Sequence, residues 1–251
     1  MVTQDRWEVA QDYERGYWKS LADRIASGSV SQLDWYKWRA DELVKRLRRV
    51  GHENATTGAA RVVEVGCGPI GVVSYFPASR RLAIDPLEEF YGAHAVLSAL
   101  RNPAVDYQRG VGEDLPAGSG QFDLAIMENC IDHVRDMDAV MQELKRVLTP
   151  NGILYLTVNA RMPLGFVVHR GLSRMRIDAG HPHTFTRERV RSFVRRNGFD
   201  LVDFESESFL SAFKGDIKAK ELRPKIKALL GTSEFIVTVI ARPRAGAVAR
   251  D

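Results

Sequence analysis

Residues Val62 to Val73 read VVEVGCGPIGVV, an apolar run holding one acid, Glu64, and broken by glycines. Four residues are too few for a helix and suit a buried strand that runs into a glycine-rich turn. Gly66-x-Gly68-x-x-Gly71 has the spacing of a dinucleotide fingerprint, but that pattern alone is weak evidence. Such a turn offers backbone N–H groups and a helix N-terminus to whatever binds there. Glu64 lies two residues before the first glycine, where a carboxylate repels a pyrophosphate and attracts an α-amino group. A cationic ligand is therefore expected.

Working outward, apolar bursts alternate with helical segments. RVVEV, RLAID, AVDYQ, FDLAIME and GILYLTV read as buried strands, and LEEFYGAHAVLSALR and MDAVMQELKRVL as helices between them. TRERVRSFVRRNGF reads as a later helix closed by Gly198, followed by strands in DLVDFES and SEFIVTVIARP. Alternation of this kind predicts an α/β fold, a doubly wound, mostly parallel seven-stranded sheet with helices on both faces. Ligands of such sheets sit beyond the carboxyl ends of the strands, where the winding reverses.

Two helical patterns precede the sheet, about residues 5–27 and 31–50, the second with Ser31 as a possible N-cap. All four tryptophans, Trp7, Trp18, Trp35 and Trp38, lie in them. The expected organisation is an N-terminal helical cap over residues 1–55 and a ligand-binding domain over 56–245. Trp18 and Tyr13 either pack in the core or close over the ligand.

The chain has 251 residues, 45% hydrophobic and 27% charged, the composition of an ordinary globular protein. No apolar signal segment opens it and no run reaches transmembrane length, so a cytoplasmic protein without a membrane partner is expected. Two cysteines, Cys67 and Cys130, give neither a disulfide framework nor a zinc pattern. The net charge of +4 is too small to imply nucleic acid. Between Arg161 and Asp200, however, nine arginines stand against three acids, a local +6. This segment is either a solvated helix face or a guide for an anionic acceptor.

With these residues assembled, the sequence resembles the class I S-adenosylmethionine-dependent methyltransferases, in the type 11-like group that acts mostly on small molecules. VVEVGCGPIG is similar to the family's first motif, LAIDP to its ribose-binding acid and GEDLP to its adenine-side loop. FDLAIMENCIDHVRD resembles the fourth motif, LKRVLTPNGILYLTV the fifth helix and strand, and HPHTFTRERVRSFVRRNGF the late helix–strand unit. The resemblance covers about residues 60–206 and implies a Rossmann-like fold. It also implies S-adenosylmethionine as cofactor and S-adenosylhomocysteine as product.

By the same resemblance Glu64, Gly66, Cys67 and Gly68 hold the methionine end. Asp85, with Pro86, holds the ribose, Gly112 and Glu113 flank the adenine, and Glu128 and Asn129 close the pocket. Relatives often carry an aspartate toward the adenine where this chain has Val111. The expected reaction is methyl transfer to O or N of a small-molecule acceptor, by a monomer or homodimer. The alternative is a nucleic-acid methyltransferase, disfavoured because the fourth strand ends in ENCI.

His133, in the turn after the fourth strand, is the candidate general base, or else it caps or packs a short helix. His181 and His183, in GHPHTFT, are further catalytic candidates or pocket walls. These three histidines and Asp178 match no familiar ligand spacing, so no metal is expected.

Overall fold

The computed structural model describes residues 2–29, 33–174 and 180–244. Ser31, Asp178 and the tail GAVARD lie outside the described residues. Seven strands form one sheet: β1 (Arg61–Val65), β2 (Arg80–Asp85), β3 (Asp106–Arg109), β4 (Phe122–Glu128), β5 (Leu148–Ala160), β6 (Phe199–Ser206) and β7 (Phe235–Pro243). Their order is β3-β2-β1-β4-β5-β7-β6. Each pair among the first five is parallel, and β7 runs antiparallel to both β5 and β6. The chain winds from β1 outward through β2 to β3, then returns to β4 on the other side of β1. The reversal opens a crevice beyond Val65 and Glu128.

Both sheet faces are covered, which is why the central strands read as continuous apolar runs. On one face Val63 and Val65 of β1 share a core with Val140 and Leu144 of α5 (Met137–Val147) and with Val190 and Phe193 of α7 (Arg187–Arg196), which packs on β6 and β7. Asp136 caps α5 by accepting from the N–H groups of Asp138 and Ala139. Thr186 caps α7 in the same way through Arg189.

The opposite face carries α2 (Trp35–Arg49), which buries Tyr36, Ala40, Leu43 and Leu47 at helical spacing against Val62, Leu124 and Ile126. Fully burying Leu43 and Leu47 contributes about 1.5–3 kcal/mol each. α1 (Gln4–Ala26) adds Leu21 to that layer and sets Ala22 against Leu87, Tyr91 and Leu97.

The stretch expected to form one helix over 87–101 is instead two short ones, α3 (Glu88–Ala93) and α4 (Ala95–Ser98), because His94 takes an extended conformation between them. Three helices had no sequence signal: α6 (Pro163–Arg174), α8 (Phe209–Lys218) and α9 (Leu222–Leu229). No helix among the described residues is long and apolar enough to cross a membrane.

Candidate active site

At the crevice, β1 ends and the chain turns through Gly66 and Gly68, with φ of 73° and 60°. The N–H groups of Gly66 and Cys67 both donate to the Ile84 carbonyl, at 2.8 and 3.3 Å, binding the turn to β2. A Cβ on Gly66 would collide with Cys130 Sγ, and one on Gly68 would stand 2.5 Å from the Tyr36 hydroxyl. Only glycine combines this backbone with these neighbours. The turn forms the floor of a cavity of about 490 Å³, inside the ~300–1,000 Å³ range of small-molecule sites.

Three carboxylates surround that floor. Glu64 points to the α2 side of the sheet and is 2% exposed. Its oxygens accept from the N–H groups of Val72 and Val73, at 3.1 and 2.8 Å, so it also holds the following turn. Burial pushes its carboxyl up to about 8, against those two donors. Asp85, at the tip of β2, accepts from Gly68 N–H and Leu87 N–H, both at 2.9 Å. Burial raises it to about 6. Glu128, at the tip of β4, is raised by burial to about 7, with Arg39 of α2 opposing the shift from 3.8 Å.

Beyond β4, Asn129 adopts φ of 52°, the one non-glycine residue among those described with a positive φ. Its N–H donates to the Thr157 carbonyl and hydroxyl, each at 3.0 Å. Its Oδ1 is buried at the cavity wall and accepts no hydrogen bond. Cys130 Sγ lies 3.0 Å from the Val65 carbonyl. Burial drives the thiols of both Cys67 and Cys130 up, which makes them poor nucleophiles. Pro86 and Gly112 line the cavity, as does Glu113. The Glu113 carboxylate is engaged, accepting from Arg135 N–H at 2.8 Å and Asp136 N–H at 3.0 Å.

The histidines divide. His133 and His181 meet at the cavity wall, ring centroids 4.7 Å apart. His133 Nδ1 faces Glu14 Oε1 at 3.6 Å and its Nε2 faces Asp132 Oδ1 at 3.8 Å. His183 stands outside the lining. Its Nε2 lies 2.8 Å from the Val134 carbonyl, and burial lowers its pKa.

Of the cavity's roof, the sequence pointed to Trp18 and Tyr13, which line it, and missed Tyr36, Arg39 and Glu14. Tyr36 donates to the Cys67 carbonyl at 3.3 Å and stacks on Trp18, which packs edge-on against Tyr91. Arg39 and Glu14 add charge from α2 and α1. The crowding of tryptophans was the available signal. Neither the Arg39–Glu128 nor the Glu14–His133 pairing has any sequence spacing to announce it. The arginine-rich segment turns elsewhere: Arg187 and Arg191 lie over the Phe204 ring, Arg189 over Phe166 and Arg196 over Phe193. Arg161 is buried and pairs with Glu234.

A family model described as a methyltransferase domain matches residues 63–156. Among curated proteins, a non-reducing polyketide synthase of Emericella nidulans is 27% identical over 197 residues, which is 73% of this chain and 8% of that one. A ubiquinone biosynthesis O-methyltransferase of Xanthomonas oryzae is 33% identical over 113 residues, 43% of this chain and 47% of that one. The chain thus spans less than half the length of either relative. Among solved structures, geranyl diphosphate C-methyltransferase from Streptomyces coelicolor has a TM-score of 0.59 at 14% identity, covering 81% of this chain and 79% of that one. The glycine turn at the sheet's switch point thus lies within the stretch, residues 63–156, that matches the methyltransferase domain, on a fold shared with solved methyltransferase structures.

Proposed function

We propose that this chain transfers a methyl group from S-adenosylmethionine to an oxygen or nitrogen of a small-molecule acceptor. The observation that carries the reading is the ring of three carboxylates around a glycine floor, Glu64 and Asp85 buried and Glu128 largely so. Such a site disfavours a pyrophosphate and suits a ligand with a sulfonium and an ammonium group. The residues present fit that ligand. Gly66 and Gly68 bring no side chain of their own to the floor, and Asn129 Oδ1 is a buried acceptor in want of a donor.

On this reading Glu64, Gly66, Cys67 and Gly68 hold the amino-acid end, and Asp85 beside Pro86 holds the ribose diol. Gly112 and Glu113 bound the adenine, and Glu128 and Asn129 close the far side. When bound, S-adenosylmethionine supplies an electrophilic methyl group. The chain itself aligns the acceptor and excludes water, which in favourable cases contributes on the order of 7–11 kcal/mol. Trp7, Tyr13 and Tyr17 line the mouth with aromatic surface, suited to an acceptor with apolar bulk. On this reading His133, beside His181 at the cavity wall, takes the acceptor's proton when no metal is bound, worth typically 10²–10⁴ in rate. The names of the relatives, a ubiquinone O-methyltransferase and a polyketide synthase, support an oxygen-bearing organic acceptor.

Calorimetric titration with S-adenosylhomocysteine tests the reading. One site per chain is expected, weakened at least tenfold by Asp85→Ala. A folded chain that binds no nucleoside sinks it. Incubating small-molecule extracts with methyl-labelled cofactor then identifies the acceptor by mass spectrometry.

A further inference from the structure

His181 follows His133 by 48 residues, and the fold brings the two together beside Asp132. One ligand atom from each lies within 4.8 Å of the others. Asp132 is 2% exposed, and its Oδ1 accepts no hydrogen bond. A buried carboxylate oxygen without a donor is costly. His133 Nε2 stands 3.8 Å from it. That gap is too wide for a hydrogen bond, yet two metal–ligand bonds of about 2.0–2.2 Å span it.

The surroundings have the form of a metal site's outer layer. On the far side of the His133 ring, the Glu14 carboxylate stands 3.6 Å from Nδ1, which has no hydrogen-bond partner; this is the side on which an outer carboxylate orients a ligating imidazole once a metal draws the ring into place. His183 fixes the loop that bears the ligands. Its N–H donates to the Asp132 carbonyl at 3.2 Å, and its ring nitrogen meets the Val134 carbonyl.

We propose that Asp132, His133 and His181 bind one divalent transition-metal ion at the cavity wall, leaving an open coordination position that takes an oxygen of the acceptor. Two imidazoles and one carboxylate suit zinc, cobalt, manganese or iron(II) better than magnesium or calcium. Three protein ligands with an open position is also the pattern of catalytic rather than structural metal sites. A hydroxyl coordinated there would be acidified by the metal and would give up its proton to solvent as it binds, so in the metal-bound state the imidazoles serve as ligands and not as bases. The acceptor's part in this inference rests on the proposed methyl transfer. The metal binding does not.

The test is titration of the chelator-treated full chain with Co²⁺ and with Zn²⁺, followed by calorimetry and, for Co²⁺, by its visible absorption. Saturation at one ion per chain is expected, abolished in Asp132→Asn and in His181→Ala. Glu14→Gln should weaken binding about 10–100-fold. Circular dichroism of each variant checks that it is folded. Absence of saturable binding, or binding that survives both ligand substitutions, overturns the site. S-adenosylhomocysteine titrated into the same wild-type sample separates the two ideas. A chain that binds nucleoside but no metal loses only the metal site, and one that binds metal but no nucleoside loses only the methyl-transfer reading.

Discussion

At the scale of single residues, the glycine turn is held by constraints that can be separated. Gly68 has φ of 60° and lies under Tyr36, whose hydroxyl would stand 2.5 Å from an added Cβ. The backbone conformation costs a non-glycine residue about 1–3 kcal/mol, and the collision adds to it. Gly68→Ala should therefore lower stability by at least that amount. In a Tyr36→Phe background, where the colliding oxygen is gone, the same substitution should cost measurably less. Equal costs in the two backgrounds, read from chemical denaturation, would show that the roof does not press on the turn. Glu64 is bound twice by backbone N–H groups, and a glutamine there would turn an amide N–H toward one of those donors. Glu64→Gln should cost about 1–3 kcal/mol, the usual penalty for a buried donor left unmet.

At the scale of elements, α1 and α2 have two duties, and different residues serve each. Leu43 is fully buried between α2 and the sheet, so Leu43→Ala should cost about 2–5 kcal/mol and leave nucleoside affinity unchanged below the melting transition. Trp18 is half-buried, lines the cavity and touches Tyr36 and Tyr91. Trp18→Ala should weaken S-adenosylhomocysteine binding about tenfold or more, at a smaller cost in melting temperature. If the two variants exchanged effects, the division of labour would be wrong.

The strands and the long amphipathic helices were legible because burial on two faces writes continuous apolar runs, and burial on one writes a 3.6-residue period. α6 was not legible. PLGFVVHRGLSR carries two glycines, and Gly165 is there because a Cβ would collide with the Gly231 carbonyl, 66 positions along the chain. Nor was α9, where Pro224 falls in the first turn, a tolerated position that reads as a break. Glu64, Asp85 and Glu128 could be assigned to the site because each ends or nearly ends a strand. The partners Tyr36, Arg39 and Glu14 could not, since only the docking of the helices supplies them.

At the scale of the whole molecule, the buried carboxylates make stability and binding depend on pH in a defined direction. Burial raises Glu64 to about 8, Glu128 to about 7 and Asp85 to about 6, whereas in the unfolded chain they titrate near 4. A raised carboxyl contributes its full stability below the unfolded value and loses it as pH climbs through the folded one. The ligand-free chain should therefore lose stability steadily from about pH 4 to pH 8. Glu64 alone accounts for a few kcal/mol, on the order of 5–10 °C in melting temperature. Melting curves at pH 5 and pH 8 should show this fall, and Glu64→Gln, though less stable throughout, should show a shallower one. A cationic ligand reverses the effect locally by favouring the ionised carboxylates. At pH 7 most of the Glu64 population is protonated, so binding of S-adenosylmethionine, which carries both a sulfonium and an ammonium, should release protons. Calorimetry in phosphate and in Tris, buffers of very different ionisation enthalpy, reads that release directly. Identical apparent enthalpies in the two would mean that the ligand's charged amino group does not reach these acids, and that the carboxylate ring stabilises the turn without drawing in a cation.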